Sequence, residues 1–174
     1  MITSLTIRRD KGKIWSHIRN KWLIERPEET VRQEYLLILV NEYGFSLDQI
    51  AEELDLIGSA SARADFVIWR TVKEKEEDKA PFIIIERKSD NITIKPHAYN
   101  QGENYSRICG ALFFLTHNSR ETKYWRVRKD KVPGYTEEIE NIPHGDATDK
   151  DIVQWEIQTS TGIDASLNVY LEGI

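Results

Sequence analysis

Two periodicities divide the chain. Between Pro27 and Tyr43, the apolar positions Val31, Tyr35, Ile38 and Leu39 recur at helical spacing, so PEETVRQEYLLILVNEY predicts a helix with that stripe facing the core. Pro27 suits the first helical position, Glu28 and Glu29 meet the positive end of the helix dipole, and Gly44 supplies the stop. Ser46 and Gln49 then form a capping-box signature before a short helix, SLDQIA. Beyond it the period shortens. Leu54 and Leu56 alternate with acids, Gly58–Ser61 reads as a turn or bulge, and Ala64–Arg70 (ADFVIWR) reads as a strand rich in β-formers. PFIIIERK and ALFFLT are continuous apolar runs of the kind found in strands covered on both faces. Between them a helix is expected from about Pro96 to Cys109, with Gly110 as its stop. His117–Glu121 reads as a turn and KYWRVR as a further strand, while the charged stretch Lys73–Lys79 reads as a solvated loop. Before Pro27, KIWSHIRNKWLIE mixes aromatics with cations and reads only as an ordered arm; beyond Pro133, IVQWEIQ and LNVYL carry weak strand patterns. The order helix, strand pair, strand, helix, strand, strand predicts an α/β fold, a central mixed sheet of about four to six strands flanked by helices.

Length and composition narrow this picture. At 174 residues, 40% of them hydrophobic, the chain is expected to be one domain over 1–174, with its core at about 21–132 and an acidic C-terminal extension at 133–174. The longest apolar runs, such as Tyr35–Val40 and Pro81–Ile85, fall far short of the ~18 residues of a membrane span. MITSLTIRRDKGK has no apolar signal core, and the single cysteine, Cys109, permits neither an internal disulfide nor a multi-cysteine zinc site, so a cytoplasmic location is expected. The net charge of −5 argues against a non-specific nucleic-acid binder, but it is unevenly spread. From Thr136 onward nine acids face one base, whereas Asn118–Val132 carries six bases against two acids. That basic stretch, with Tyr124 and Trp125 among its cations, is a candidate contact for a phosphate backbone, or simply a strand with one solvated face.

Three ionisable residues need an explanation where the strand pattern puts them. Glu86 and Lys88 are two apart at the end of PFIIIERK, so both point to one face, roughly 7 Å apart along the strand. Asp65 sits near the start of ADFVIW, and an antiparallel pairing of the two strands would bring it to the same point. Two carboxylates and an ammonium suit Mg²⁺-dependent phosphodiester hydrolysis. Mg²⁺ takes hard oxygen ligands and keeps several waters, a bound metal lowers the pKa of one of them, and a lysine can orient that water or meet charge on the phosphate. The plain alternative is a strand-end ion pair and a turn aspartate. Downstream, Gln101 and Tyr105 are four apart on the expected helix and share a face, from which they could donate hydrogen bonds without adding charge.

The ordered set RPEETVRQEYLLILVNEYGF, SARADFVIW, PFIIIERK, QGENYSR and LFFLTHN resembles the N-terminal endonuclease domain of type I restriction enzyme R subunits, a branch of the PD-(D/E)xK nucleases, and especially its short stand-alone forms. The likeness runs from about Lys21 to Asn118. It implies a restriction-endonuclease-like three-layer fold and Mg²⁺-dependent DNA cleavage, with Mn²⁺ as a substitute. The implied catalytic set is Asp65, Glu86, Lys88, Gln101 and Tyr105, with Asp65 and Glu86 as metal ligands. Glu29 in the PEE motif matches the glutamate that related nucleases add from the first helix, and it serves the helix dipole equally well. Arg32 and Gln33 in the same motif read as structural partners or phosphate contacts, and Glu53 as solvent-facing or supporting. Arg87 stands where the family often has a small or apolar residue, and alternation turns it to the opposite face. Thr116-His117-Asn118 replaces the family's Thr-Asn-Gly. His97 and His117 read as exposed residues without a metal role.

No GxxxxGK[ST] phosphate loop occurs, so no ATP-driven motor is expected, and no helix-turn-helix or zinc module is recognisable. The expected protein is therefore a metal-dependent endodeoxyribonuclease whose partners are DNA and other restriction-system subunits, not a membrane, with homo-oligomerisation a further route to specificity. Two other readings stay open: a catalytically silent nuclease-fold module that binds DNA or a protein partner, and an enzyme of the same fold acting on RNA.

Overall fold

A computed structural model of the chain describes residues 4–55, 63–87, 110–117, 121–127, 136–148 and 150. The segment expected to be an arm is a small antiparallel sheet, with β1 (Arg9–Asp10), β2 (Lys13–Ser16) and β3 (Lys21–Ile24) in that order. Lys11 and Gly12 join the first two strands with φ of 47° and 75°, the positive values a two-residue hairpin turn requires. Trp15 stands opposite Trp22, their rings edge to face at 5.3 Å. Such a cross-strand aromatic pair is what holds strands this short together. Charged residues between the aromatics obscure the alternation in the linear sequence, yet Ile14 and Ser16 are fully buried on the inner side.

Helix α1 (Pro27–Asn41) forms where the periodicity places it, and Gly44 at φ 77° turns the chain out of it. Its buried face is Gln33, Tyr35, Leu36 and Leu39; Val31 and Ile38 are only half-buried, so Leu36 takes the central position. The capping box forms as expected, with the Ser46 N–H donating to Gln49 Oε1 at 2.9 Å. The helix it opens is one 3-10 turn, Leu47–Gln49, and Ile50 already belongs to a strand.

That strand, β4 (Ile50–Asp55), begins a six-stranded sheet that continues through β5 (Arg63–Ile68), β6 (Ile83–Arg87), β7 (Phe113–His117), β8 (Thr122–Val127) and β9 (Thr136–Ile139). Spatial order follows chain order, and the sheet is mixed: β6 and β7 are parallel and every other pair antiparallel. Both faces are buried. Phe66, Ile68, Ile83, Ile85, Phe113 and Leu115 pack with Tyr35, Leu36 and Leu39 of α1, while Val67, Trp69, Ile84, Phe114 and Trp125 form a second cluster. The architecture is the expected α/β class.

Three expectations are corrected. Residues read as a solvated loop contain a five-residue helix, α2 (Val72–Glu76), started by Thr71, whose hydroxyl accepts from the Glu74 N–H at 3.0 Å. Its surface is charged, which is why composition alone suggested a loop. Strand β9, TEEI, was hidden by its acids; they are matched by bases on β8, with Arg126 to Glu137 at 2.7 Å and Lys123 to Glu138 at 3.1 Å. His117 ends β7 rather than lying exposed in a turn. It is 3% exposed, and its ring stacks on Tyr35 at 4.3 Å. The expected turn at Gly58–Ser61, the helix at Pro96–Cys109, His97, and the strand patterns IVQWEIQ and LNVYL lie outside the described residues. Among the described residues no helix is long and apolar enough to cross a membrane.

Candidate active site

The antiparallel register of β5 and β6 pairs Phe66 with Ile85, Val67 with Ile84 and Ile68 with Ile83. The paired positions end there: Asp65 is the next residue of β5 and Glu86 the next of β6, so the two carboxylates belong to adjacent antiparallel strands. Ala64 and Val67, three apart, share the second cluster with Ile84, so the alternation of β5 does not run unbroken through Asp65. Glu86 is 8% exposed although it ends a strand of isoleucines, and in the parallel pair it adjoins the fully buried Thr116. Asp65 is half-buried. Lys88, Gln101 and Tyr105, the remaining members of the expected set, lie outside the described residues.

On the other side of Asp65 the sheet ladder opens. Glu52 pairs with Phe66 and Leu54 with Ala64, but Glu53 and Asp65 between them do not pair. Glu53 has φ 49°, a conformation that costs a non-glycine residue roughly 1–2 kcal/mol. The distortion brings Glu53 into an acidic cluster with Glu29, Glu52 and Asp65, and the guanidinium of Arg32 stands at its centre. Arg32 Nη1 lies 2.7 Å from Glu29 Oε2 and 3.0 Å from Glu53 Oε1, Nη2 lies 3.4 Å from Asp65 Oδ1, and Nε lies 3.8 Å from Glu52 Oε1. Burial works against the charge of Arg32, but Glu29, Asp65, Glu53 and Glu52 outweigh it and raise its pKa above the ordinary value.

Neighbouring groups complete the cluster. Gln33, fully buried one residue along α1, donates through Nε2 to Glu29 at 3.0 Å and to Glu52 at 3.3 Å. Ser16 Oγ donates to Glu52 at 3.0 Å, and Arg19 pairs with both Glu52 and Glu53, so the small N-terminal sheet is tied into the same network. Burial pushes the Glu52 carboxyl above the usual carboxylate range, Glu29 adds to the rise, and Arg19, Ser16 and Arg32 oppose it. Glu29 therefore does more than meet the helix dipole, and Glu53 is engaged rather than simply solvent-facing.

Residues 27–143 match the family described as Type I restriction enzyme R protein N terminus (HSDR_N), about two thirds of the chain. The chain belongs to that family. No curated protein and no solved structure matches it. Membership in the type I R protein family ties the chain to restriction systems and to a nuclease-related role. The matched stretch includes Glu29, Arg32, Asp65 and Glu86, together with β4 to β9, while β1 to β3 precede it.

Strand pattern and hairpin pairing are local rules, so the sequence puts Asp65 and Glu86 on adjacent strands, as β5 and β6 are. Sequence reasoning missed Arg32 as the hub. The spacings Glu29–Arg32 and Glu29–Gln33, three and four residues apart on one helix, were available as a signal for the first contacts. The approach of Glu53 was not, because it depends on a positive φ within a strand. The basic stretch on β8 also differs from the expected phosphate contact: Trp125 and Arg126 are 5% exposed, and Lys123 and Arg126 are ion-paired to β9.

Proposed function

We propose that this domain hydrolyses DNA phosphodiester bonds with a divalent metal, Mg²⁺ or Mn²⁺, held by Asp65 and Glu86. The observation that supports the reading is the antiparallel pairing of β5 with β6, which puts the two carboxylates on adjacent strands with Glu86 buried beside a run of isoleucines. The chemistry of the carboxylates suits the ion. Among the described residues no three His, Cys, Asp or Glu side chains are grouped to hold a metal, but Mg²⁺ needs only one or two carboxylates beside its waters. When bound, it supplies charge neutralisation at the phosphate and a water of lowered pKa. Asp65 and Glu86 contribute the anionic oxygens, Lys88 positions the attacking water, and Gln101 and Tyr105 orient substrate or Lys88. Glu29 is held at the edge of the site by Arg32 and Gln33.

The partners that follow are DNA and other subunits of a restriction system. Plasmid nicking by the purified protein with Mg²⁺ or Mn²⁺ tests the reading. Asp65→Ala and Lys88→Ala are expected to abolish cleavage, and nicking that survives in both variants rules the assignment out.

One observation favours a second reading, a catalytically silent module of the same fold. Arg32 lies 3.4 Å from Asp65 and supplies positive charge where a metal would. Calorimetry with Mg²⁺ separates the two. Heat that disappears in Glu86→Ala supports a metal site, and no heat in the wild type supports the silent module.

A further inference from the structure

Outside the family's matched stretch, the segment that carries the β1–β3 sheet is strongly basic. The first 26 residues hold seven bases and two acids in a chain of net charge −5. Ile14 and Ser16 point inward, so alternation turns Lys13 and Trp15 outward, and the register sets Ile24 and Trp22 opposite them on the same face. Trp22 at 37% and Ile24 at 66% exposure are two of the three large apolar side chains left open among the described residues. Beside them Arg8 lies over both rings, its Cζ 4.8 Å from the Trp15 centroid and 5.5 Å from that of Trp22. Asp10 is the one acid on this face.

Of the cations in this segment, Arg9 is paired with Glu25. Arg19, Arg32, Lys123 and Arg126 each face a carboxylate, whereas Arg8, Lys11, Lys13 and Lys21 have no ion-pair partner among the described residues. Aromatic rings interleaved with unneutralised cations, on an exposed sheet, have the two complementarities of one ligand class: π-faces for bases and ammonium or guanidinium groups for phosphates. An acidic peptide would satisfy the cations but not the rings, and a purely apolar partner would strand the cations.

We propose that the outer face of β1–β3 binds a single strand of nucleic acid, with a base stacked against Trp22 and phosphates met by Arg8 and Lys13. Arg8 is held in place by the two indoles, so it is ordered before a phosphate arrives. The inner side of the same sheet is fastened to Glu52 and Glu53 through Ser16 and Arg19, so a bound strand is anchored to the element that borders the acidic cluster. This surface goes beyond the cleavage reading and does not depend on it.

The test uses the full chain in buffer containing a chelator, so that metal-dependent binding and cleavage are silent. Fluorescein-labelled oligothymidylate of about 15 nucleotides is titrated by anisotropy, with indole fluorescence followed in parallel. Saturable binding is expected, with quenching of the indole signal and affinity that falls steeply with salt. Trp22→Ala is expected to weaken binding roughly tenfold or more, and Trp22→Phe to restore most of it. Lys13→Glu and Arg8→Glu, both at exposed positions, are expected to weaken binding and flatten the salt dependence, and they keep the question answerable if Trp22→Ala fails to fold. Binding unchanged in all of these variants overturns the proposal. So does a preference for duplex over single strand, or a dimer, seen by sedimentation, that Trp22→Asp dissolves while the oligonucleotide shows no binding.

Discussion

Replacing Arg32 with methionine keeps most of the side chain's volume and leaves Glu29, Glu52, Glu53 and Asp65 without their shared counter-charge. The Arg32 side chain is only 12% exposed, so the loss should cost roughly 3 kcal/mol in urea unfolding, the scale for a buried pair deprived of one partner. A change below about 1 kcal/mol would mean that water already compensates those acids. Glu52 gives a second test, with a definite sign. Its side chain has no exposed surface and its folded pKa is raised. Between the ordinary carboxylate pKa and the raised folded value, the folded state holds a proton the unfolded state has released, so stability falls as pH rises through that window. Glu52→Gln lacks this component. The Tm of the wild type minus that of the variant should therefore decline as pH is raised from about 4.5 toward neutrality, the lower figure being near the unperturbed glutamate pKa. A flat or rising difference would show that the Arg19 and Arg32 contacts dominate instead.

At the scale of elements, β9 exists because β8 supplies its counter-charges. The two ion pairs joining these strands differ in burial: Arg126–Glu137 is 6% and 11% exposed, Lys123–Glu138 is 35% and 48%. Glu137→Gln should accordingly destabilise by roughly 3 kcal/mol, while Glu138→Gln should cost under about 1 kcal/mol. Equal effects would mean that the pairing rests on the backbone ladder alone. The same contrast explains what could be read from the sequence. PFIIIERK and ALFFLT declared themselves because strands buried on both faces need unbroken apolar runs, and α1 because a helix buried on one side needs a stripe. TEEI carries no such pattern, since its stabilisation comes from bases more than ten positions away. The N-terminal sheet was concealed in a similar way, its Trp15–Trp22 contact visible only once the hairpin register is known. For the site, the placement of Asp65 and Glu86 on neighbouring antiparallel strands was legible in the strand pattern, whereas the grip of Arg32 on four acids from three elements required the fold itself.

For the whole molecule, a bound divalent ion should act as a stabilising ligand of the folded state. At a hundredfold excess over its Kd, Mg²⁺ would add about 2.7 kcal/mol, visible as a rise in Tm that saturates with concentration. Glu86→Gln should remove most of that rise, and an equal rise in both proteins would assign it to other surfaces. The magnitude also weighs the metal against Arg32. If the ion must displace the guanidinium from Asp65, Arg32→Met should sharpen the response to Mg²⁺ even while lowering the starting Tm.

The strand order β4 to β9 repeats the order of the chain. Each strand of the large sheet therefore attaches beside its immediate predecessor, and no later strand has to wedge between two earlier ones. Such neighbour-by-neighbour growth keeps loop-closure penalties modest and suits assembly while the polypeptide is still leaving the ribosome. One clasp must wait. Asn141 receives the Tyr43 hydroxyl from 98 positions upstream, and Ile139 and Ile142 fill the core beside α1. A nascent chain halted before those residues emerge would hold β4 to β8 with an unfilled end, so synthesis finishes the early part of the fold by delivering β9, the last strand among the described residues.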